Sequence, residues 1–284
     1  MFTGVTPQKN SLGEIVLLFT LFITWEYLET RSIRTKGWLR QVPWDLVILI
    51  LIGLWLLRLS QSKTALVCVL IGVFLVVRGG WFLSKFISWA ALVGGLSLPL
   101  LVFFSQNFSE AIAPLLKALG RDPTFTGRTD IWKHITLETV NPLIGAGFWN
   151  FWGGPGGLRV NESMNEVIPN AHNGYLDIYL DGGMIGLIVL LIMLFACGRR
   201  IVKHLRPGSD LSHYQRMRFA VLIAAIIYNL SESTFARVGP IWFTTLLMIV
   251  DYPSLRMAAG KAREALHRHR RSISTYASPT VVNQ

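Results

Sequence analysis

The sequence predicts an all-α fold, a polytopic membrane bundle of about seven spans with one large polar loop. Three observations carry that prediction. Hydrophobic residues make up 52% of the 284-residue chain and charged residues only 15%, and the mean hydropathy is +0.46, a balance foreign to soluble domains. Long apolar runs alternate with short basic turns. A single long polar interval, 105–174, interrupts them and contains an amphipathic segment.

Apolar runs fall at 12–28, 42–59, 64–77, 86–104, 175–197, 219–230 and 240–250, the last two short for a hydrocarbon core of about 30 Å. Lys and Arg collect after alternate runs: Arg31, Arg34, Lys36 and Arg40, then Arg78 and Lys85, then Arg199, Arg200, Lys203 and Arg206, then Arg256 through Arg271. The positive-inside bias places these turns in the cytoplasm. Four separated pieces then share the opposite face: the N-terminal tail, the 58–63 turn, the 105–174 loop and the 232–237 turn. The expected divisions are N-terminal membrane helices at 1–104, a large loop on the non-cytoplasmic face at 105–174, C-terminal membrane helices at 175–251 and a basic cytoplasmic tail at 252–284.

The net charge of +11 does not point to nucleic acid, because the positive residues sit beside apolar runs and in a tail suited to anionic lipid. Cys68 and Cys197 lie in or at the end of apolar runs, so no disulfide is expected. No HExxH, paired cysteines or compact carboxylate cluster suggests a metal, and Walker, dinucleotide and kinase signatures are missing; no cofactor is expected.

Within the loop, Ile131, Trp132, Ile135 and Val140 recur near helical spacing, predicting a helix over 130–140 capped by Thr129 or Asp130 and ended by Asn141-Pro142. Its apolar face is expected in the interface plane of the membrane. The following GAGFWNFWGGPGG offers Phe148, Trp149, Phe151 and Trp152, which either stack on sugar rings or anchor the loop among headgroups. Asn173 then caps the next membrane helix, on which Asp177 and Asp181 share a face that cannot meet lipid.

The loop delivers two side chains with chemistry. Arg128 carries a planar fork suited to phosphate, against the plainer reading of a cap or snorkelling residue. His172 carries an imidazole that can accept a proton, against the plainer reading of a structural hydrogen bond. Lys63 in SQSKT and Glu232 in NLSEST stand at helix ends on the same face. With Asp177, Trp149 and Trp152 they are candidate substrate contacts.

At these residues the sequence resembles the O-antigen ligase and Wzy-type polysaccharide polymerase superfamily of bacterial inner-membrane proteins. GRTDIW (127–132), NPLIGAGFWNFW (141–152) and AHNGYLDIYLDGGMIGL (171–187) carry the likeness in order and spacing. GVTPQKNSLG (4–13) resembles the superfamily's KN-x-LG element and SQSKTAL (60–66) its S-x-S-R/K-T element. The wording leans toward the exopolysaccharide-polymerase branch.

The resemblance implies a metal-independent, inverting glycosyltransferase on the periplasmic face. Its donor would be a glycan on undecaprenyl pyrophosphate and its acceptor another lipid-linked glycan or, in a ligase, lipid A core. Arg128 matches the arginine that holds the donor pyrophosphate, His172 the proposed base, and Lys63 a position where many members have Arg. Membrane lipid and other polysaccharide-assembly proteins are the further partners expected. The resemblance also implies helices before the KN-x-LG element, so the start at Met1 is expected to reflect a late start codon, ahead of a degraded gene or a minimal variant. A non-catalytic subunit or glycolipid transporter is the competing reading of another class.

Overall fold

A computed structural model describes residues 9–33, 43–79, 127–205 and 212–250. Among them the regular structure is entirely helical: α1 (Lys9–Ile33), α2 (Trp44–Ser60), α3 (Lys63–Arg78), α4 (Arg128–Thr136), α5 (Asn150–Gly153), α6 (Pro155–Met164), α7 (Gly174–Lys203), α8 (Ser212–Tyr228) and α9 (Pro240–Ile249). Six of the seven expected apolar runs fall on helices α1, α2, α3, α7, α8 and α9. The run at 86–104, the first part of the polar loop and the basic tail lie outside the described residues. Among the described residues only α1 and α7 are long and apolar enough by themselves to cross a membrane, so a bundle of seven spans is not confirmed.

The main core is built around α8. Residues 219–226, FAVLIAAI, are buried on every side, as expected for a helix apolar all round. Helices α1, α3, α7 and α9 pack against it, and α2 lies against α1. The outward faces are apolar as well. Trp44, Leu51 and Trp55 on α2, Leu70 and Phe74 on α3, and Ile188, Val189 and Ile192 on α7 are all exposed.

A second, smaller core caps one end of this bundle. Ile131, Trp132 and Ile135 of α4 pack with Phe151, Trp152, Val160, Ile168, Ala171, Leu176 and Leu180. The apolar face of α4 is thus turned onto protein, which corrects the expectation that it lies in the membrane interface. The helix also differs in extent from the predicted 130–140. Gly127 in the left-handed conformation starts it at Arg128 with no side-chain cap, and it closes at Thr136, whose hydroxyl donates to Lys133 O at 2.6 Å. α6 was not expected from the sequence; Pro155 at its first turn presets the backbone for the glycine-rich start.

α7 joins the two cores and is broken between them. Gly183 has φ 60° and ψ −159°, a region open essentially to glycine alone. The break removes two hydrogen bonds of the helix, and loop 142–147 replaces both. Leu180 O accepts from Ala146 N at 2.8 Å and Asp181 O from Gly147 N at 2.9 Å. Met184 N donates to Pro142 O at 2.9 Å and Ile185 N to Leu143 O at 3.1 Å. No polar backbone group is lost at the interruption.

Candidate functional site

The described parts of the four chain segments expected to share one face come together around Glu232: Asn10, Arg128 and His172 reach it, and Thr64, just past the 58–63 turn, reaches the neighbouring Ser231. This glutamate sits in the turn after α8, a turn shaped by the fully buried Asn229. Asn229 Oδ1 accepts from Thr234 N at 2.9 Å and Phe235 N at 3.0 Å, while its Nδ2 donates to Ala225 O and Thr234 Oγ1. The turn so fixed holds the Glu232 carboxylate, 9% exposed, at the end of the bundle.

Three side chains from distant segments reach that carboxylate. Arg128, in the first turn of α4, pairs through Nη2 with Glu232 Oε1. Asn10, in the first turn of α1, donates to the same oxygen at 2.7 Å. His172 Nδ1 lies 3.5 Å from Oε2. The carboxylate is thereby loaded on one oxygen and lightly held on the other.

Local sequence explains why His172 arrives there. The residue adopts a left-handed conformation, φ 48°, stabilised by its amide donating to Asn170 Oδ1 at 2.9 Å. Asn173 caps α7 as expected, accepting from Tyr175 N and Leu176 N at 3.1 Å each. Gly174 N donates to both Asn229 O and Glu232 O, and a Cβ at Gly174 would fall 2.0 Å from Asn229 Oδ1. In the HNG triplet the histidine supplies the turn and the asparagine the cap. The glycine supplies the close approach that brings the imidazole onto Glu232. α4 is tied to the same spot, since Trp132 Nε1 donates to Ala171 O at 2.8 Å.

The N-terminal element has a comparable logic. Asn10 contributes its side chain to Glu232, and its carbonyl accepts from Tyr228 OH at 2.8 Å. A Cβ at Gly13 would sit 2.8 Å from Ser62 Cβ, so glycine is what lets α1 touch the start of α3. There Ser62 caps the helix, and Thr64 Oγ1 bonds Ser231 Oγ at 2.7 Å, next to Glu232. Lys63 stands exposed in this first turn, with no ion-pair partner among the described residues.

Asp177, expected to touch substrate, is placed otherwise. It is 1% exposed and its oxygens are filled. Oδ1 accepts from Trp152 Nε1 at 2.7 Å and Ala171 N at 3.1 Å, and Oδ2 accepts from Ser233 Oγ and from Arg237 Nη2 at 3.1 Å. No lone pair remains for a sugar hydroxyl. Trp152 is likewise buried, with its indole N–H spent on Asp177.

Of the four loop aromatics, Phe151 joins Trp152 in the core, while Phe148 and Trp149 stay exposed. The Arg237 guanidinium lies 3.7 Å above the Trp149 ring, so one face of that indole is occupied by protein. At the rim of the cap, Arg159 binds Glu138 Oε2 through Nε at 2.8 Å, and that bond raises the guanidinium's affinity for its proton.

Sequence reading named Arg128, His172 and Glu232 but missed two residues that assemble them, Asn10 and Asn229, and missed Arg237, which holds Asp177. Asn10 was visible only as part of the KN-x-LG likeness. Asn229 opens the NLSEST segment and Arg237 lies three residues past its end, and their uncommon position beside an apolar run was the available signal.

Comparisons with known proteins identify the family. The family described as O-Antigen ligase matches residues 46–191. The "Exopolysaccharide production protein ExoQ" of Rhizobium meliloti is 28% identical over 210 residues, covering 68% of this chain and 45% of that protein. The "Putative polysaccharide ligase RT0347" of Rickettsia typhi is 24% identical over 225 residues, and "Putative polysaccharide ligase RP358" of Rickettsia prowazekii 25% over 223, each covering 73% of this chain and 52% of the relative. The chain therefore spans about half the length of the curated relatives it matches. No solved structure matches it. With half of its residues inside the family match, and the Arg128 and His172 motifs among them, the chain belongs to the O-antigen ligase family.

Proposed function

We propose that this chain is a multi-pass membrane glycosyltransferase. It polymerises lipid-linked oligosaccharide repeats into exopolysaccharide or O-antigen on the periplasmic face of the bacterial inner membrane. The donor is a glycan on undecaprenyl pyrophosphate, the acceptor a second lipid-linked glycan, and the transfer is inverting and independent of metal. The observation that carries this reading is the meeting of Arg128 and His172, 44 positions apart in sequence, on the single carboxylate of Glu232. Exposed apolar faces on α2, α3 and α7 support the membrane placement, since water penalises such area at about 25 cal/mol per Å².

Each group has a task in that reaction. Breaking the bond between sugar and pyrophosphate puts negative charge on the leaving oxygen, and the remaining donors of the Arg128 fork stabilise it. Exposed Lys63, beside Ser231 and Glu232, adds a second cation to the donor's approach. Glu232 orients both Arg128 and His172. A neutral His172 that donates from Nδ1 to Glu232 keeps its lone pair on Nε2, where it takes the proton of the acceptor hydroxyl. That hydroxyl attacks the anomeric carbon from the side opposite the departing pyrophosphate, which inverts the configuration. Trp149 offers its free indole face to a sugar ring.

Arg128→Ala and His172→Ala, each assayed in membranes supplied with lipid-linked glycan, are expected to cut chain growth by about a hundredfold or more while the protein stays in the membrane. Polymer of wild-type length from both variants would overturn the assigned roles. The relatives named as ligases favour a second reading, transfer to lipid A core. Deletion separates the two, since a polymerase mutant loses long polymer and a ligase mutant loses glycan-bearing lipid A.

A further inference from the structure

Loop 141–148 has properties that the transfer reaction does not use. Leu143, Ile144 and Phe148 are 61%, 62% and 75% exposed, on a stretch with no Lys, Arg, Asp or Glu between Glu138 and Arg159. A contiguous apolar surface of this kind marks contact with something other than water. The backbone beneath it is closed. Leu143 N and Ile144 N donate to Asn141 Oδ1 at 2.9 and 3.2 Å, and Gly145 N to Asn141 O at 2.8 Å. Ala146 N and Gly147 N donate to α7, and residue 142 is a proline with no N–H to satisfy. An irregular segment whose N–H groups from Leu143 to Gly147 all find protein partners meets a condition for lying at the edge of hydrocarbon.

Its position supplies the occupant. The loop is bonded to α7 at residues 180–185, where the helix breaks. Before the break α7 packs into the smaller core through Leu176 and Leu180; after it, Ile185, Ile188, Val189 and Ile192 form an exposed apolar face. Residues 184–203 measure about 30 Å at the helical rise, the thickness of a bilayer's hydrocarbon. The break thus falls at the boundary of that thickness, and the apolar loop continues the face of α7 at the same level.

We propose that Leu143, Ile144 and Phe148 form a lipid-docking ridge, inserted among the acyl chains of the leaflet on the catalytic side. Resting on the membrane reading above, the ridge sets the depth of the Arg128, Glu232 and His172 cluster, holding it at the height of a lipid phosphate. It is a surface for bilayer lipid, not for a protein partner.

The test places an environment-sensitive fluorophore at three positions of the full chain, with Cys68 and Cys197 replaced by alanine. Ile144→Cys reports the ridge, Ile188→Cys the α7 face, and Glu162→Cys on α6 the watery cap. The protein is reconstituted in phosphatidylethanolamine and phosphatidylglycerol vesicles, with phosphatidylcholine spin-labelled high on its acyl chain as one quencher and aqueous iodide as another. The label at 144 is expected to lose most of its emission to the spin-labelled lipid and little to iodide, with the reverse at 162. Quenching at 188 by lipid but at 144 only by iodide would overturn the ridge and leave the membrane reading standing. A label at 144 shielded from both quenchers would mean that protein covers the loop, which also overturns it. Lipid quenching at neither 144 nor 188 would sink both readings.

Discussion

Asp177 and Glu232 are both buried carboxylates paired with an arginine, and their clusters are joined through the neighbouring Ser233, yet their surroundings differ. Asp177 is saturated by Trp152, Ala171, Ser233 and Arg237. Glu232 concentrates Arg128 and Asn10 on one oxygen and leaves the other with His172 at 3.5 Å. A carboxylate with every lone pair taken can only hold structure together. One with spare capacity, next to a partly exposed arginine and histidine, can exchange partners when an anionic ligand enters. The difference teaches that burial and charge alone do not mark a reacting site; unspent hydrogen-bonding capacity does.

The sharpest way to break the comparison is Asp177→Ala. It strands Arg237, whose Nη1 already lacks a partner, together with the indole of Trp152. Removing one member of a buried pair costs about 3–5 kcal/mol. Thermal unfolding in detergent should show a loss of that order; a wild-type transition would mean that the Asp177 cluster does not hold the cap.

Arg128→Ala should divide in the other direction. Transfer is expected to fall by about a hundredfold to a thousandfold, the loss typical of one donor to a developing oxyanion. Unfolding should shift less than in Asp177→Ala, because Glu232 keeps Asn10 and His172. Parallel measurement of turnover and unfolding on the two variants checks this, and equal destabilisation would erase the distinction between the carboxylates.

Gly183→Ala probes what joins the two regions. A side chain there meets the Leu143 backbone at 2.3 Å in a conformation forbidden to alanine. Such strain is of the order of 1–3 kcal/mol. The expected result is a lower unfolding midpoint with the cap loosened from α7, read by faster amide exchange at Ala146 and Gly147. Unchanged exchange would show that the loop is not held by the break.

How much of this was legible in the sequence follows from the range of the contacts. Arg128, His172 and the Asn173 cap are set by residues within a few positions of one another, and motif reading found them. The role of Asn10 depends on a partner 222 positions away, so nothing in its neighbourhood announces it. The ends of α4 were misplaced because capping rules look for Ser, Thr, Asp or Asn, whereas Gly127 starts the helix by its left-handed backbone. α7 reads as one continuous helix for a similar reason. DGGMIG fits the apolar rhythm, and the loop that makes its interruption tolerable lies some forty residues earlier. Asp177, on the helix after the loop, and Trp152, in the loop, read as candidate substrate contacts because a carboxylate and an indole near a polar face both invite ligands; that they bond each other is a tertiary fact.

The smallest effect expected is also the most local. Asn173→Ala removes the acceptor for Tyr175 N and Leu176 N, worth about 1 kcal/mol at a helix start. The residue is 3% exposed and follows His172 directly, so its loss also frees the turn that aims the imidazole at Glu232. Asn173→Asp restores the cap, Asn173→Ala does not. If the cap positions His172, the alanine variant should lower kcat by several times with little change in KM, and the aspartate variant should recover the rate together with the unfolding midpoint. Recovery of stability without recovery of rate would mean that the amide of Asn173, and not its cap, is what the site requires.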